Sequence, residues 1–459
     1  MPSEFFRQDR WLLPGLLLLS LFLRLTVLER YARQLDRDLD LYRRMATAIR
    51  DGRGFIHPDT GLPTAYRPPL YPVVLSLVLR GGGGETAIGV LHLFLSVATI
   101  ALTFAAARRL RLGEASWVAS GLVAVDPLLL YNVSQVMTET LATFLSAATV
   151  WWLTGPAPPP DGVVRQRSSI LWAFGLGALF GLCGLCRPTF FAWGALLAAG
   201  WCTAQLIGWL RKMLGKSGAS GNLWSAVTVV AGFTIAVSPW VLRNVSEFGR
   251  PILSTTHGGY TLLLGHNPVY YEQVVRKPWG TVWEGNSLRK WQQSLEQAMA
   301  AESPLIRRDE VARDRWMWQR AQEYMLSDPK LALRSGLTLV GRMWNIAPLD
   351  PTNSSGWPLI LLMSTFYAIW FAAMLVGLYR MRREEWSAWW PGLALIVSFT
   401  GVHFFYWADL RMRAPLIPVM ALLAARAFRK GTATGDSRPD AESADAPDKI
   451  PPVPVSPTQ

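Results

Sequence analysis

Three aspartates, Asp36, Asp38 and Asp40, fall at alternate positions just after the first apolar block, and Tyr42 follows them. Two chemistries fit. Asp38 and Tyr42 stand four residues apart, so a helix starting at or before Asp38 would put them on one face. A carboxylate pressed against an aromatic at a partly dry interface can have a raised pKa and act as a base. In an extended stretch the three acids would share a face instead, and could hold a divalent cation. The plain alternative is helix capping, because an Asp before a helix accepts hydrogen bonds from its free N–H groups.

Further along, Tyr66-Arg67-Pro68-Pro69-Leu70-Tyr71-Pro72 holds one arginine beside two prolines. A guanidinium fixed there could grip a phosphate through two hydrogen bonds, or could snorkel to lipid headgroups. Glu139 opens an apolar block, where a helix dipole favours an acid in any case. Arg187, Arg243, Arg411 and Arg413 stand at ends of other apolar blocks on the same predicted side. Basic residues there run against the usual charge bias and call for an anionic partner such as a lipid phosphate. His257 and His266 have no third ligand at metal spacing, which favours structural or substrate-binding roles. Cys183, Cys186 and Cys202 sit in apolar segments and read as packing thiols.

The elements that must position these residues are membrane helices. The chain has 459 residues, 51% of them hydrophobic and 17% charged. A soluble domain is about one quarter charged. The apolar residues form blocks at Trp11–Leu28, Thr86–Ala107, Trp117–Leu130, Thr140–Thr154, Ile170–Leu185, Phe190–Leu210, Leu223–Leu242, Trp357–Tyr379, Trp386–Phe405 and Pro415–Phe428. They predict an all-α polytopic membrane protein with about ten spans. Arg24 and Arg30 stand where a small-residue cleavage site would be, so the first block reads as a retained span.

Lys and Arg in the short loops Arg108–Glu114, Gly155–Ser169, Arg211–Gly221 and Arg380–Glu385 put these loops and both termini in the cytoplasm. Two long segments, 29–85 and 243–356, then lie outside. Short interfacial helices are expected in them at Asp40–Asp51, Pro68–Leu79, Asp309–Leu326 and Leu331–Trp344. Residues 431–459, rich in Pro, Asp, Ser and Ala, are expected to be a disordered cytoplasmic tail. The net charge of +13 follows from topology and lipid contact rather than nucleic-acid binding. No phosphate-cradling GxxxxGK[ST] and no GxSxG elbow occurs.

In order, the chain resembles the GT-C superfamily of membrane glycosyltransferases over residues 10–428. Within that superfamily it is most similar to the protein O-mannosyltransferase and aminoarabinose-transferase branch (families 39 and 83). The matching pieces are Asp38 with Tyr42, Gly52-Arg-Gly-Phe55, Tyr66-Arg-Pro-Pro-Leu-Tyr-Pro72 and Thr138-Glu139. Cys186-Arg-Pro188, Pro239-Trp-Val-Leu-Arg-Asn244 and Gly259-Tyr-Thr-Leu-Leu-Leu-Gly-His-Asn267 follow. The resemblance implies an inverting enzyme that moves a sugar from a polyprenyl-phosphate carrier to a glycan, lipid or protein acceptor. Transfer would take place on the outer face of a bacterial inner membrane. It maps the catalytic acid to Asp38, the carrier-phosphate contact to Arg67 and a second acid to Glu139. Asp40 remains a further candidate for the base. Tyr42, Tyr66, Arg187, Arg243, His257, Arg411 and Arg413 are the remaining candidate contacts. A divalent cation at Asp36, Asp38 and Asp40 stays open. A transporter or flippase for a lipid-linked glycan is the competing function, and it would call for two-fold repeats and broken helices near mid-membrane.

Overall fold

The computed structural model describes residues 5–155, 163–213, 223–303, 306, 309–349 and 356–429. The expected tail at 431–459 lies outside the described residues, as do 156–162 and 214–221 of the expected cytoplasmic loops. The described regular elements are helical, apart from one isolated bridge between Ile56 and Pro63. Apolar segments in lipid must satisfy their backbone groups internally, and a helix does so.

Among the described residues, seven helices are long and apolar enough to cross a membrane. They are α1 (Phe5–Arg30), α4 (Gly84–Arg109), α8 (Val163–Cys186), α9 (Thr189–Met213), α10 (Leu223–Phe248), α16 (Trp357–Tyr379) and α17 (Trp386–Phe405). The three other expected blocks are helical but shorter. Trp117–Leu130 breaks at Pro127 into α5 (Ala115–Val125) and α6 (Pro127–Asn132). Thr140–Thr154 lies in α7 (Glu139–Leu153), and the last block is a tight turn of helix, Leu410–Leu416, leading into α18 (Ile417–Arg426). Every residue of α18 is buried, so its apolar residues face protein rather than lipid. The α8–α10 pair shows how closely these helices approach. A Cβ on Gly177 would fall 1.9 Å from the Val229 carbonyl oxygen, and one on Gly232 would fall 2.1 Å from that of Phe174.

The long segments 29–85 and 243–356 carry short helices that meet at one end of the bundle. These are α2 (Tyr42–Arg50), α3 (Leu70–Leu79), α11 (Gly258–Gly265), α12 (Pro268–Tyr270), α13 (Gly285–Glu302), α14 (Glu310–Ser327) and α15 (Pro329–Met343). The expected helices at 40–51, 68–79, 309–326 and 331–344 are all present, with shifted starts. Helices α11, α12 and α13 are additional. Helix α13 is polar on most of its surface and buries only Trp291 and Met299.

The Pro127 break is answered by a buried arginine. Proline has no N–H, so the last carbonyls of α5 lose a helical partner. Arg24 of α1 donates to the Ala124 carbonyl at 2.8 Å and to the Val123 carbonyl at 3.2 Å, and is held by Ser20 Oγ at 2.6 Å. Asp126 then caps α6 by accepting from Leu129 N at 2.7 Å, and accepts from Tyr367 OH at 2.9 Å. The guanidinium of Arg413 lies 4.3 Å from the Tyr367 ring centroid and donates to the Asn345 carbonyl at 2.8 Å.

Arg413 is fully buried in this polar seam. Its replacement by Ala should destabilise the protein by about 3 kcal/mol, because buried carbonyls lose a charged donor. Denaturant unfolding in detergent checks this, and a change below about 1 kcal/mol would contradict the seam's role.

Candidate active site

The acids diverge at one turn. Leu41 takes a left-handed backbone conformation (φ 66°) immediately before α2. Asp38 therefore precedes the helix and caps it, with Oδ1 accepting from Arg43 N at 3.0 Å and Oδ2 from Arg44 N at 2.8 Å. Asp38 and Tyr42 do not share a helix face, because the helix begins only at Tyr42. Asp36 is largely exposed and lies 3.4 Å from Arg43 Nη1. Asp40 turns inward. Its Oδ1 accepts from Arg67 Nη2 at 2.6 Å, its carbonyl accepts from Arg67 Nε at 3.2 Å, and its Oδ2 lies 3.6 Å from Arg411 Nη1. The shared acidic face that an extended stretch would make is thus absent. Among the described residues no group of three His, Cys, Asp or Glu side chains is placed to hold a metal ion.

Asp40 opens onto a cavity of about 750 Å³. Tyr42, Tyr66, Arg67, Glu139, Arg187, His257 and Arg411 line it with Asp40; Asp38, Arg243 and Arg413 do not. Arg67, fixed before the prolines that start α3, packs over the rings of Tyr66 (4.7 Å) and Tyr42 (5.6 Å). Tyr42 is buried edge-on against Tyr71, 5.3 Å away. Burial raises the phenol pKa of both Tyr42 and Tyr66, which keeps them neutral. Glu139, the first residue of α7, is 3% exposed. Its Oε1 is 3.5 Å from Arg187 Nη1 and 3.9 Å from Arg411 Nε, while Oε2 has no hydrogen-bond partner. Burial works against the charge of Arg411, but Asp409, Glu139 and Asp40 outweigh it and raise the Arg411 pKa.

One glutamate ties the loops behind these residues. Glu310 Oε2 accepts from Thr64 Oγ1 at 2.6 Å, and Oε1 accepts from Ala65 N at 2.8 Å and from Thr256 Oγ1. Thr256 N donates to the Ala65 carbonyl at 2.9 Å. The loop bearing Tyr66 and Arg67 is thereby joined to the loop bearing His257. Asp314 accepts from Gly259 N at 2.7 Å, and a Cβ at Gly259 would lie 2.0 Å from the Asp314 carbonyl oxygen. Only glycine allows that approach. His257 lies between Tyr66 (4.3 Å) and Tyr260 (5.0 Å), with Nδ1 buried and unpartnered. Burial, and then Arg67 and Arg313, push its pKa well below the ordinary imidazole value.

Two arginines expected here have structural positions instead. Arg243 donates to the carbonyls of Phe55 (2.7 Å) and Thr64 (2.8 Å), clamping the first loop from outside the cavity. Arg413 is taken up by the seam described above. Conversely, His403, Tyr260 and Gln292 line the cavity and were not singled out by sequence. Gln292 Nε2 donates to Tyr260 OH at 2.7 Å. A histidine within the last turn of an apolar span was the available cue for His403. A second cavity of about 1040 Å³ adjoins the first across Tyr66, His257, Tyr260 and Gln292, and is lined beyond them by Glu296, Glu310 and Arg313.

No protein-family signature matches the chain, and no curated protein matches it in sequence. Solved structures do match. The oligosaccharyltransferase AglB from Archaeoglobus fulgidus, in complex with an inhibitory peptide and a dolichol-phosphate, superposes with a TM-score of 0.52 at 13% identity, over 92% of this chain and 50% of that one. The oligosaccharyltransferase of the same organism, tethered with an acceptor peptide containing the NVT sequon, gives 0.51 at 13% identity, over 91% and 49%. ArnT from Cupriavidus metallidurans, bound to undecaprenyl phosphate, gives 0.41 at 14% identity, over 90% and 78%, below the level at which folds are equated. The chain spans about half the length of the oligosaccharyltransferase and has the fold of that half. This is the GT-C fold expected from the motif order.

Glu310→Ala should release the two loops from α14 without unfolding the bundle. The expected result is faster hydrogen exchange at the Ala65 amide by about tenfold or more, with α4 and α7 unchanged. Unaltered exchange at Ala65 would show that the loops hold together without Glu310.

Proposed function

We propose that this protein is a membrane glycosyltransferase that takes a sugar from a polyprenyl-phosphate carrier and passes it, with inversion, to an acceptor hydroxyl. The observation that carries this reading is the charge pattern of the first cavity. Its lining holds three guanidinium groups (Arg67, Arg187 and Arg411) against two carboxylates (Asp40 and Glu139), with Asp409 outside the lining 3.2 Å from Arg411 Nε. A phosphodiester offers anionic acceptors to the guanidinium groups that face the cavity. Arginines bind phosphate oxygens well because their donors are planar and paired. The AglB structure that shares this fold was solved with a dolichol-phosphate, which supports the same class of carrier here.

The reaction breaks the bond between the anomeric carbon and the phosphate oxygen, and forms one from that carbon to the acceptor oxygen. The phosphate leaves on its carrier, neutralised by Arg67, Arg187 and Arg411. The acceptor's proton goes to a carboxylate. Glu139 is the better placed receiver, since its buried Oε2 is free. Asp40 has both oxygens facing arginines and orients them. Asp38 is assigned to holding α2, and through it Tyr42, in place. The second cavity suits the acceptor, because it meets the first at an aromatic and amide wall. The cavity end of the bundle is read as the outer side, since the opposite ends of the helices carry Arg108, Arg109, Arg380 and Arg382. Both described termini then lie on the cytoplasmic side.

Purified protein supplied with a panel of polyprenyl-phosphate sugars should consume at least one. Glu139→Gln and Asp40→Asn should each lower kcat by about 10²-fold or more, with the fold retained. Asp38→Asn should keep transfer within about tenfold and lower stability by about 1 kcal/mol, the worth of a cap. Loss of transfer in a folded Asp38→Asn protein, with Glu139→Gln active, would reverse the assignment.

A further inference from the structure

His403 lies in the last turn of α17, at the cavity end of an otherwise apolar helix. It is 5% exposed and lines the first cavity. Its Nδ1 is 3.2 Å from the Trp407 carbonyl oxygen. A carbonyl only accepts, so Nδ1 carries the hydrogen and the neutral ring keeps a free lone pair on Nε2. Nε2 is buried and has no hydrogen-bond partner. A packing role explains the Nδ1 bond, which ties the end of α17 to the loop that follows. It does not explain an unused buried acceptor, which is unfavourable until something fills it.

The chemistry of the other lining groups narrows what that is. Arg67, Arg187 and Arg411 can only donate, and they suit phosphate oxygens. The carboxylate of Asp40 is engaged by arginines. A bridging phosphodiester has no hydrogen to give to Nε2, whereas a hydroxyl has. We propose, resting on the glycosyl-transfer reading above, that His403 Nε2 accepts a hydrogen bond from a hydroxyl of the sugar or of the acceptor. The residue then reads the substrate as well as packing the helix end. The arginines fix the phosphate, and His403 sets which hydroxyl pattern can sit beside it. A site built to bond a hydroxyl discriminates strongly against a ligand without one, because its buried group is left unpaired.

Two amide substitutions separate the ring nitrogens. The amide of Gln at position 403 reaches the place of Nε2 and can offer an acceptor there. The amide of Asn reaches only the place of Nδ1. Initial rates of the full-length protein are measured against donor concentration, using whichever polyprenyl-phosphate sugar of the panel the unmutated protein consumes. Melting temperature is followed in parallel. His403→Asn should lose about 10²-fold in kcat/KM, and His403→Gln should stay within about tenfold of the unmutated protein. A rise in donor KM places the hydroxyl on the sugar; a fall in kcat at constant donor KM places it on the acceptor. If both variants match the unmutated protein, or if Asn restores activity and Gln does not, the proposal is overturned and His403 serves the Trp407 bond alone. Should neither variant fold, monodeoxy analogues of the consumed sugar, and of the acceptor, are tested on the unmutated protein. One position should then dominate the loss, and a flat response overturns the proposal. If the unmutated protein consumes no donor of the panel, it is the glycosyl-transfer reading that fails, and this inference falls with it. Consumption by the unmutated protein together with unaffected variants removes His403 only.

Discussion

A charge taken out of water inside an apolar bundle must be met by another charge or by hydrogen bonds. That requirement sorts the arginines of this protein. Arg24 is met by the carbonyls that Pro127 releases. Arg413 is met by the Asn345 carbonyl and the Tyr367 ring, and Arg243 by the carbonyls of Phe55 and Thr64. At the other end of the bundle, Arg426 and Arg429 both reach Glu385. In each case the guanidinium is used by the fold. Arg67, Arg187 and Arg411 differ. They line one cavity with Asp40 and Glu139, where Arg187 Nη1, Arg411 Nε and Glu139 Oε2 have no hydrogen-bond partner. These three guanidinium groups converge on one space that a ligand can enter.

This sorting was not visible in the sequence. Arg187, Arg243, Arg411 and Arg413 all stand at ends of apolar blocks, and residue type and position treat them alike. What separates them is the partner, which lies far away in the chain: Arg243 bonds a carbonyl 188 residues before it, and Arg413 one 68 residues before it. The same holds for the acids. Spacing pointed from Asp38 to Tyr42, but spacing implies a shared face only within a helix. The left-handed Leu41 ends that relation one residue before α2 begins. It leaves Asp38 on the backbone and sends Asp40 to the arginines. A leucine with positive φ has no sequence cue comparable to glycine.

Other features were legible because they depend on short-range physics. Apolar runs long enough to cross lipid must be helical. Asp309 before an amphipathic stretch gave a helix start, and the cap to Val311 N is there at 2.9 Å. The double proline placed Arg67 ahead of a helix. The order of these pieces along the chain carried the fold, even though sequence identity to the matched structures is only 13%. His403 was hidden for the opposite reason. Its neighbours are apolar, its Nδ1 partner lies four residues on, and the cavity it faces is built by distant segments.

The proposed reaction also has to leave the cavity electrically tolerable after the sugar departs. Before transfer, the three arginines of the lining face its two carboxylates, Asp409 behind Arg411, and a singly charged phosphodiester. Transfer converts the diester into a phosphate monoester carrying about −1.5 to −2 charges at pH 7. That added negative charge would be costly in a site removed from water. If the acceptor's proton goes to Glu139, the lining loses one negative charge in the same step, and the balance is restored without an ion entering. Proton uptake by a buried carboxylate beside Arg187 therefore does two things. It frees the nucleophile, and it strengthens the hold of the arginines on the leaving phosphate. Release of the carrier then requires Glu139 to give its proton up, so the free oxygen that suits it to catalysis also links turnover to escape of a proton from the cavity.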